Sequence, residues 1–553
     1  MIQERFKTSF AKDIFYGKYA QGPNDTWDAL VERLVEDVCG TRWGQQPALM
    51  SETDRRDLAE AIKQFKFVPG GRYLYYAGRV AKFYNNCYLL RAEEDTREEW
   101  ANVTWRAMSC LMTGGGIGID YSRLRASGKA LTRTGGTASG PLPLMYSINE
   151  IGRNVMQGGS RRSAIYASLN WQHEDIPLFL KAKNWGEQVW TGRKSNAWLK
   201  EKNFNFPAPL DMTNISVNYD NAWLAAEGDR SLNPVFMENC LQAMKTGEPG
   251  FSFNFGDREN ETLRNACTEV TSADDSDVCN LGSINMGNIS DPAEFRDIVV
   301  LASKFLVCGT LRAELPYEKV YKVRERNRRL GLGLMGIHEW LLQRGQKYEV
   351  TSELKQWLEI YRDESIRSSN EHCDRFYISR PVAYRAIAPT GTIGILASTT
   401  TGIEPLFAVA YKRRYLKHGD RWHYQYVVDS TAEHLINHYS VDPDKIESAL
   451  DLAGDYERRI RFQADVQDYV DMSISSTINL PPWGTDGNNE GMVREFASVL
   501  ATYAPRLRGF TAYPDGSRGG QPLTRVDYRE ASANRGVIFE EHEDVCRSGV
   551  CGI

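Results

Sequence analysis

The chain has 553 residues, 42% of them hydrophobic, and a formal net charge of −5 with both signs interspersed. That length allows a large core, in several domains or in one large barrel with additions, and the charge excludes a basic nucleic-acid footprint. No apolar run is long enough for a spanning helix and MIQERFKTSF carries no signal-like segment, so a cytoplasmic protein with no membrane partner is expected.

Taken in chain order, residues 1–65 read as helical. Trp27, Leu30, Val31, Leu34 and Val35 share one helix face, and Leu58, Ala61 and Ile62 repeat the spacing. Val68-Pro-Gly-Gly71 breaks the pattern, and Asn85-Asn86-Cys87-Tyr88-Leu89-Leu90 reads as a buried strand. A helix is expected from Asp95 to Leu111. Behind it, Gly114-Gly-Gly116-Ile-Gly118-Ile-Asp120 serves either a phosphate cradle or close backbone packing. It lacks the third glycine of a dinucleotide fingerprint, which favours packing. Arg125 follows, then a flexible turn from Gly135 to Gly140. Gln157 to Ser163 is a Gly-rich loop whose Arg161 and Arg162 suit an anionic ligand, or are simply solvated.

Further on, a helix is expected to start at Asp175 and a strand to cover Asn214 to Asn218. Helices are expected across 293–325, 352–376 and 428–470, with a strand and turn from Arg328 to Gly336. Ala388-Pro389-Thr390-Gly391-Thr392-Ile393-Gly394 reads as a strand end, a Thr/Gly turn and a helix start. Its free N–H groups and hydroxyls form a phosphate site or a plain helix cap. Arg508 to Gly516 is a strand ending in a turn signal.

Ten cysteines occur, with no Cys-x-x-Cys pair and no zinc spacing with histidine. Cys39, Cys110, Cys240, Cys308 and Cys373 lie in apolar helical contexts and are read as buried free thiols. The segment Asn265-Ala-Cys267-Thr-Glu269 puts an amide, a thiol and a carboxylate at alternate positions, and Cys279-Asn-Leu-Gly-Ser-Ile-Asn285 follows. A carboxylate beside a thiol raises the thiol pKa and makes a poor thiolate nucleophile, which argues against protease-type chemistry. The pattern suits one-electron chemistry, in which a neutral thiol loses a hydrogen atom; the plain alternative is a buried cysteine flanked by loop polars. Cys546 and Cys551, on a Gly/Arg-rich terminal segment, can close a small disulfide or exchange electrons with a partner.

Several segments resemble the catalytic subunit of ribonucleotide reductases, in that family's order. They are Asn86-Cys87, GGGIGIDYSRLR (114–125), GGSRR (158–162), Asn265-x-Cys267-x-Glu269, CNLGSIN (279–285), PTGTIG (389–394) with TGIEP (401–405), and Cys546 with Cys551. The resemblance covers most of the chain and is strongest to compact, phage-type, adenosylcobalamin-dependent class II members. It implies an α/β fold: a ten-stranded barrel of two five-stranded halves over 66–525, with a central finger loop carrying Cys267. A short helical region at 1–65 without an ATP cone would precede it, and a flexible redox tail at 526–553 would follow.

The same resemblance implies reduction of ribonucleoside di- or triphosphates to 2′-deoxyribonucleotides for DNA synthesis. Cys267 would become the thiyl radical that abstracts the ribose 3′-hydrogen, Glu269 would take the 3′-hydroxyl proton, and Asn265 would hydrogen-bond the substrate. Cys87 and Cys279 would supply reducing equivalents as they close to a disulfide. Cys546 and Cys551 would re-reduce it and be reduced in turn by a thioredoxin- or glutaredoxin-type protein. Asn86 and the turn Pro389, Thr390, Gly391, Thr392, Ile393 and Gly394 would hold the substrate. Asp95, Arg125, Arg161 and Arg162 match positions that bind a dNTP effector and link it to substrate choice. A homodimer, no nucleic-acid partner and no metal held by this chain are expected; a viral protein of this kind would act in its host's cytoplasm.

Two readings of the radical source stand side by side. Class I members use a ferritin-like metal subunit and two adjacent tyrosines on a late strand. Here that strand reads Thr511-Ala512-Tyr513-Pro514, so Tyr513 alone would relay the radical. The short Cys267-to-Cys279 interval and YPDGSRGGQPL (513–523) instead resemble class II, which takes adenosylcobalamin as cofactor. A reading of another kind, a non-catalytic nucleotide-binding scaffold, leaves the terminal thiols without a use.

Overall fold

The structure is a computed structural model and describes residues 5–41, 47–155, 163–189, 194–203, 206–417, 421–517, 523–535 and 537–539. The N-terminal region is helical. Helices α1 (Ser9–Lys18), α2 (Trp27–Cys39) and α3 (Glu52–Lys63) each begin on a hydroxyl cap, with Thr8, Thr26 and Ser51 accepting a first-turn N–H. The apolar face of α2, from Trp27 through Leu30, Val31, Leu34, Val35 and Val38, is buried. Short helix α4 (Gly71–Tyr76) follows β1 (Phe67–Pro69), where the sequence marks only a break.

Strands β2 (Cys87–Arg91), β3 (Gly116–Asp120), β4 (Ile165–Asn170), β5 (Thr213–Tyr219) and β6 (Gly250–Phe253) are successive parallel neighbours. Helix α5 (Arg97–Met112) links β2 to β3, and α6 (Leu142–Asn154) leads towards β4. Two short strands, β7 (Leu263–Arg264) and β8 (Thr271–Ser272), pair as a hairpin. After it come β9 (Asp277–Asn285), β10 (Leu330–Met335), β11 (Ala410–Lys417), β12 (Arg421–Val428), β13 (Thr477–Leu480) and β14 (Gly509–Pro514).

The second half of the large sheet runs β9, β10, a stretch at 385–387, then β13 and β14. Arg385 bridges Leu332 of β10, and Ile387 bridges Ile474 just before β13, all parallel. The halves meet antiparallel at both seams, β2 against β9 and β6 against β14. The mixed α/β fold is therefore a closed barrel of ten strand segments, five in each half and 385–387 among them, with β1 as an added antiparallel partner along the end of β9. All nine residues of β9 are buried, as expected of a strand covered on both faces.

Three expectations change. The helix expected over 293–325 is two, Pro292–Arg312 and Glu318–Asn327; Pro316 lacks an N–H and forces its predecessor out of the helical region. The helix expected over 428–470 is also two, Ser430–Tyr439 and Tyr456–Gln467, the first ending on Ser440 at φ +52°. The segment expected as a tail is folded in its first part. It holds a helix over Tyr528–Ala533 and β16 (Ile538–Phe539); together with β15 (Leu523–Arg525), which precedes it, β16 flanks the β11–β12 hairpin in a separate four-stranded sheet.

Candidate active site

The β7–β8 hairpin enters the barrel, and its tip is Asn265-Ala266-Cys267-Thr268-Glu269-Val270. Thr268 reverses the chain at φ +70°, donating its N–H to the Asn265 carbonyl at 3.0 Å. The Asn265 Oδ1 accepts from the Val270 N–H at 3.0 Å. Strands of both halves hold the tip. Asn214 of β5 donates to the Ala266 carbonyl at 3.1 Å, and Ser473 donates its N–H to the Glu269 carbonyl at 2.8 Å.

The glycines of β3 explain how the loop fits. A Cβ on Gly118 would lie 1.7 Å from the Arg264 carbonyl oxygen, and one on Gly116 would lie 3.1 Å from the Ala266 Cβ. Residues two apart share a strand face, so β3 presents bare backbone to the passing loop. Close packing, rather than a phosphate cradle, is what these glycines do.

The base of the loop is a buried charge network. Arg264 donates to Asn254 Oδ1 at 2.7 Å and to the Arg508 carbonyl at 3.2 Å. Arg508 and the Thr271 hydroxyl both bond Glu261 Oε2 at 2.8 Å, and Arg329 bonds Asp277 at 2.9 Å. Burial, with repulsion from Arg508, lowers the Arg264 guanidinium to about 9. Burial alone would raise Glu261, but the Arg508 and Arg329 charges prevail and hold it at about 2.

At the tip, Cys87 and Cys279 are direct partners in the β2–β9 ladder. The Asn265 amide donates to Cys87 Sγ at 3.0 Å, and the Cys87 thiol lies 3.9 Å from Glu269 Oε1. Burial first, then the Glu269 carboxylate and the neighbouring thiols, push the Cys87 pKa well above its usual value. Burial does the same for Cys279, and the nearby Arg329 only offsets part of it. Both sulfurs are thus held as neutral thiols.

Cys267 is only half buried and lines a cavity of about 450 Å³, in the range of small-molecule sites. Asn86, Cys87, Asn265, Glu269 and the turn residues Pro389, Thr390, Gly391, Thr392 and Ile393 line it too. The buried Asn86 Oδ1 has no hydrogen-bond partner among the described residues. Gly394 is not on the cavity wall; it faces Thr401. Thr390, at φ +48°, uses its hydroxyl to accept from Gly402 N–H at 2.8 Å, which fixes the turn.

Elsewhere, Arg125 donates its backbone N–H to Asp95 at 3.1 Å, and the two side chains form an ion pair. Arg125 also lines a second cavity of about 440 Å³ with Lys129, Gln172, His173 and Glu174, sharing no residue with the first. Tyr513 stands opposite Asn479 in the β13–β14 ladder. Arg161, Arg162, Cys546 and Cys551 lie outside the described residues. Among the described residues no cluster of His, Cys, Asp and Glu could hold a metal ion, and no helix is long and apolar enough to cross a membrane.

Sequence reasoning misses part of the cavity wall: Gly17, Lys18 and Tyr19 at the end of α1, and Gly70, Gly71, Arg72 and Tyr75 on and before α4. No spacing in residues 1–65 signals this. Only the packing of α1 against the helix Gly391–Ala397 brings it to the mouth.

The chain matches the family model described as "Ribonucleotide reductase, barrel domain" over residues 85–219, 235–375 and 380–508. A vitamin B12-dependent ribonucleoside-diphosphate reductase of Mycobacterium tuberculosis is 27% identical over 91% of this chain and 78% of its own length. A protein of a Mycobacterium phage, described as an adenosylcobalamin-dependent ribonucleoside-triphosphate reductase, is 24% identical over 96% of both chains. The class Id ribonucleotide reductase alpha subunit of Actinobacillus ureae shares the fold. Its TM-score is 0.70, with 93% of this chain and 98% of that chain covered at 16% identity.

Proposed function

The chain belongs to the ribonucleotide reductase family and is an oxidoreductase, and from that premise we propose that it is a class II, adenosylcobalamin-dependent enzyme making 2′-deoxyribonucleotides. The observation that carries this reading is the pairing of Cys87 with Cys279 beneath a loop tip that presents Cys267 and Glu269 to one cavity.

The residues divide the work as follows. Cys267, as a thiyl radical, takes the 3′-hydrogen of the bound ribose, and the Glu269 carboxylate receives the 3′-hydroxyl proton. The C2′–O bond breaks, and the oxygen leaves as water with a proton from one thiol of the Cys87/Cys279 pair. The pair supplies two electrons and a second hydrogen for C2′ and closes to a disulfide, while Cys267 returns its hydrogen to C3′ and Glu269 returns the proton to the 3′-oxygen. Neutral thiols are what this step needs, and burial keeps both protonated. Asn265, bonded to Cys87 and to the loop backbone, fixes the distance between radical and reductant. Asn86, whose amide oxygen has no partner among the described residues, and the Pro389–Ile393 turn take the substrate.

The wall beside Cys267 fits adenosylcobalamin: Gly116, Ala164 and Ala266 keep it small, and the thiol itself is not sealed in. Those three residues would receive the adenosyl group. When bound, the cofactor supplies the radical that removes the thiol hydrogen.

Further proposals rest on the same reading. The Asp95–Arg125 pair and its cavity form the effector site, where a dNTP binds and acts with Arg161 and Arg162. A homodimer is supported by α5, which exposes Trp105, Met108 and Met112 along one face, two residues after Asp95. Cys546 and Cys551 re-reduce the barrel disulfide and are served by a thioredoxin- or glutaredoxin-type protein; the last described strand ends at Phe539. A reducing, cytoplasmic setting suits free thiols of this kind.

The test is activity of the purified chain with a ribonucleotide, adenosylcobalamin and dithiothreitol. Turnover without a second protein is the expected result. Silence relieved by a ferritin-like metal subunit would replace class II with class I and make Tyr513 the relay.

A further inference from the structure

Cys39 and Cys308 take no part in the chemistry above, and both are fully buried. As small hydrophobes they would need no polar partner. Yet His372 Nε2 stands 3.4 Å from Cys308 Sγ, and the Cys39 thiol hydrogen-bonds the Cys308 sulfur. We propose that Cys39, Cys308 and His372 form an oxidation site, in which Cys308 reacts with hydrogen peroxide and Cys39 closes the product to a disulfide. The inference is independent of the reductase reading.

Three helices bring the groups together. Cys39 ends α2, Cys308 lies one turn before the end of the helix Pro292–Arg312, and His372 lies in the last turn of Ser352–Arg375. Both α2 and Ser352–Arg375 pack against Pro292–Arg312. Arg312 donates to the Gly40 carbonyl at 2.9 Å, which holds the end of α2 in place.

The groups facing the pair are Arg55 on α3, Arg312 on the helix of Cys308, His372 and Cys373 on Ser352–Arg375, and Tyr73 on α4. Burial alone would raise both thiols. At Cys308 the hydrogen bonds from Cys39 and His372, with the Arg312 charge, prevail and draw it below the usual thiol range. Burial and the Cys308 charge push Cys39 well above that range. One sulfur is thus a thiolate and the other a neutral thiol donating to it, the roles of an attacking and a resolving cysteine.

The steps balance. The Cys308 thiolate attacks one peroxide oxygen, an S–O bond forms as the O–O bond breaks, and hydroxide leaves; the sulfur has given up two electrons. The Cys39 sulfur then displaces the hydroxyl of this sulfenic acid, which departs with the Cys39 proton as water. Burial selects the oxidant, since only a molecule close to water in size reaches the pair. The disulfide would join α2 to the helix behind β9, where Tyr73 accepts from Asn280 at 2.6 Å, the residue after Cys279.

The test treats the full-length chain with hydrogen peroxide, denatures it in an alkylating reagent and maps the cysteines by mass spectrometry. Wild type should yield cross-linked Cys39 and Cys308 peptides. Cys39→Ser should instead gain oxygen at Cys308, and Cys308→Ser should leave Cys39 alkylatable. His372→Leu should slow loss of the two thiols at pH 7 roughly tenfold or more and move its pH profile upward, because less thiolate is present. His372→Gln, which keeps a donor, should recover part of the rate. Wild-type Cys39 and Cys308 that both stay alkylatable would overturn the proposal, whatever any variant does. A pH profile that His372→Leu leaves in place would overturn it as well, since a merely structural histidine would not set it.

Discussion

Cys87 and Cys279 stand directly opposite each other where the two halves of the barrel meet antiparallel. Opposed residues in such a ladder have Cα atoms about 4.5–5.5 Å apart, inside the roughly 4.4–6.8 Å span of disulfides. The seam that closes one side of the barrel is thus also the place where two sulfurs can join with little backbone movement.

A disulfide there should form once per catalytic cycle. With substrate and cofactor but no reductant, a chain carrying Cys546→Ser and Cys551→Ser should make one deoxynucleotide and lose two alkylatable thiols, mapped to Cys87 and Cys279 by mass spectrometry. Cys279→Ser should show no such loss and no multiple turnover.

Glu269→Gln should keep the fold, because Ser473 bonds the backbone carbonyl of residue 269 and not its side chain. Losing a general base lowers kcat by about 10²–10⁴-fold, with KM little changed. A steady-state comparison with matched thermal unfolding checks this, and a kcat within threefold of wild type would remove Glu269 from the chemistry.

Gly118→Ala should destabilise the protein by roughly 1–3 kcal/mol or more and abolish activity, since its methyl would press on the Arg264 carbonyl. Gly454→Ala is the control: nothing lies within 4 Å of the added atom, and a change within about 0.5 kcal/mol is expected. Urea unfolding of both variants reads the difference.

Acid should loosen the base of the loop. Glu261 is held near 2 in the folded chain, below its value of about 4.3 when unfolded. Its contribution, up to about 3 kcal/mol by linkage, is therefore present above the unfolded pKa and lost as pH falls from about 5 towards 2. Urea midpoints at pH 7, 4 and 3 should drop faster for wild type than for Glu261→Gln, which starts lower.

Much of this was legible in residue order. The strands at 85–90, 214–218 and 328–336 and the thiol pattern at 265–279 are short-range signals, and barrel strands buried on both faces stand out as apolar runs. The glycines at 116 and 118 announced close packing but not the partner, because Arg264 is about 150 residues away and nothing local encodes that contact. The same limit hid Arg72 and Lys18, whose places on the cavity wall come from the docking of α1 and α4 on the barrel. The β11–β12 hairpin escaped reading for another reason: its run Ala410-Tyr-Lys-Arg-Arg-Tyr-Leu-Lys417 is too basic to alternate cleanly between apolar and polar.

The bare face of β3 has a consequence beyond fit. Two side chains that the strand does not carry cut a slot one backbone wide, and the loop can occupy it at one height only. Sliding the hairpin by a single residue would drive Arg264 or Ala266 into a neighbour with a Cβ. The depth of the Cys267 sulfur in the molecule is thus indexed to the register of β3, much as a key is seated by its notches.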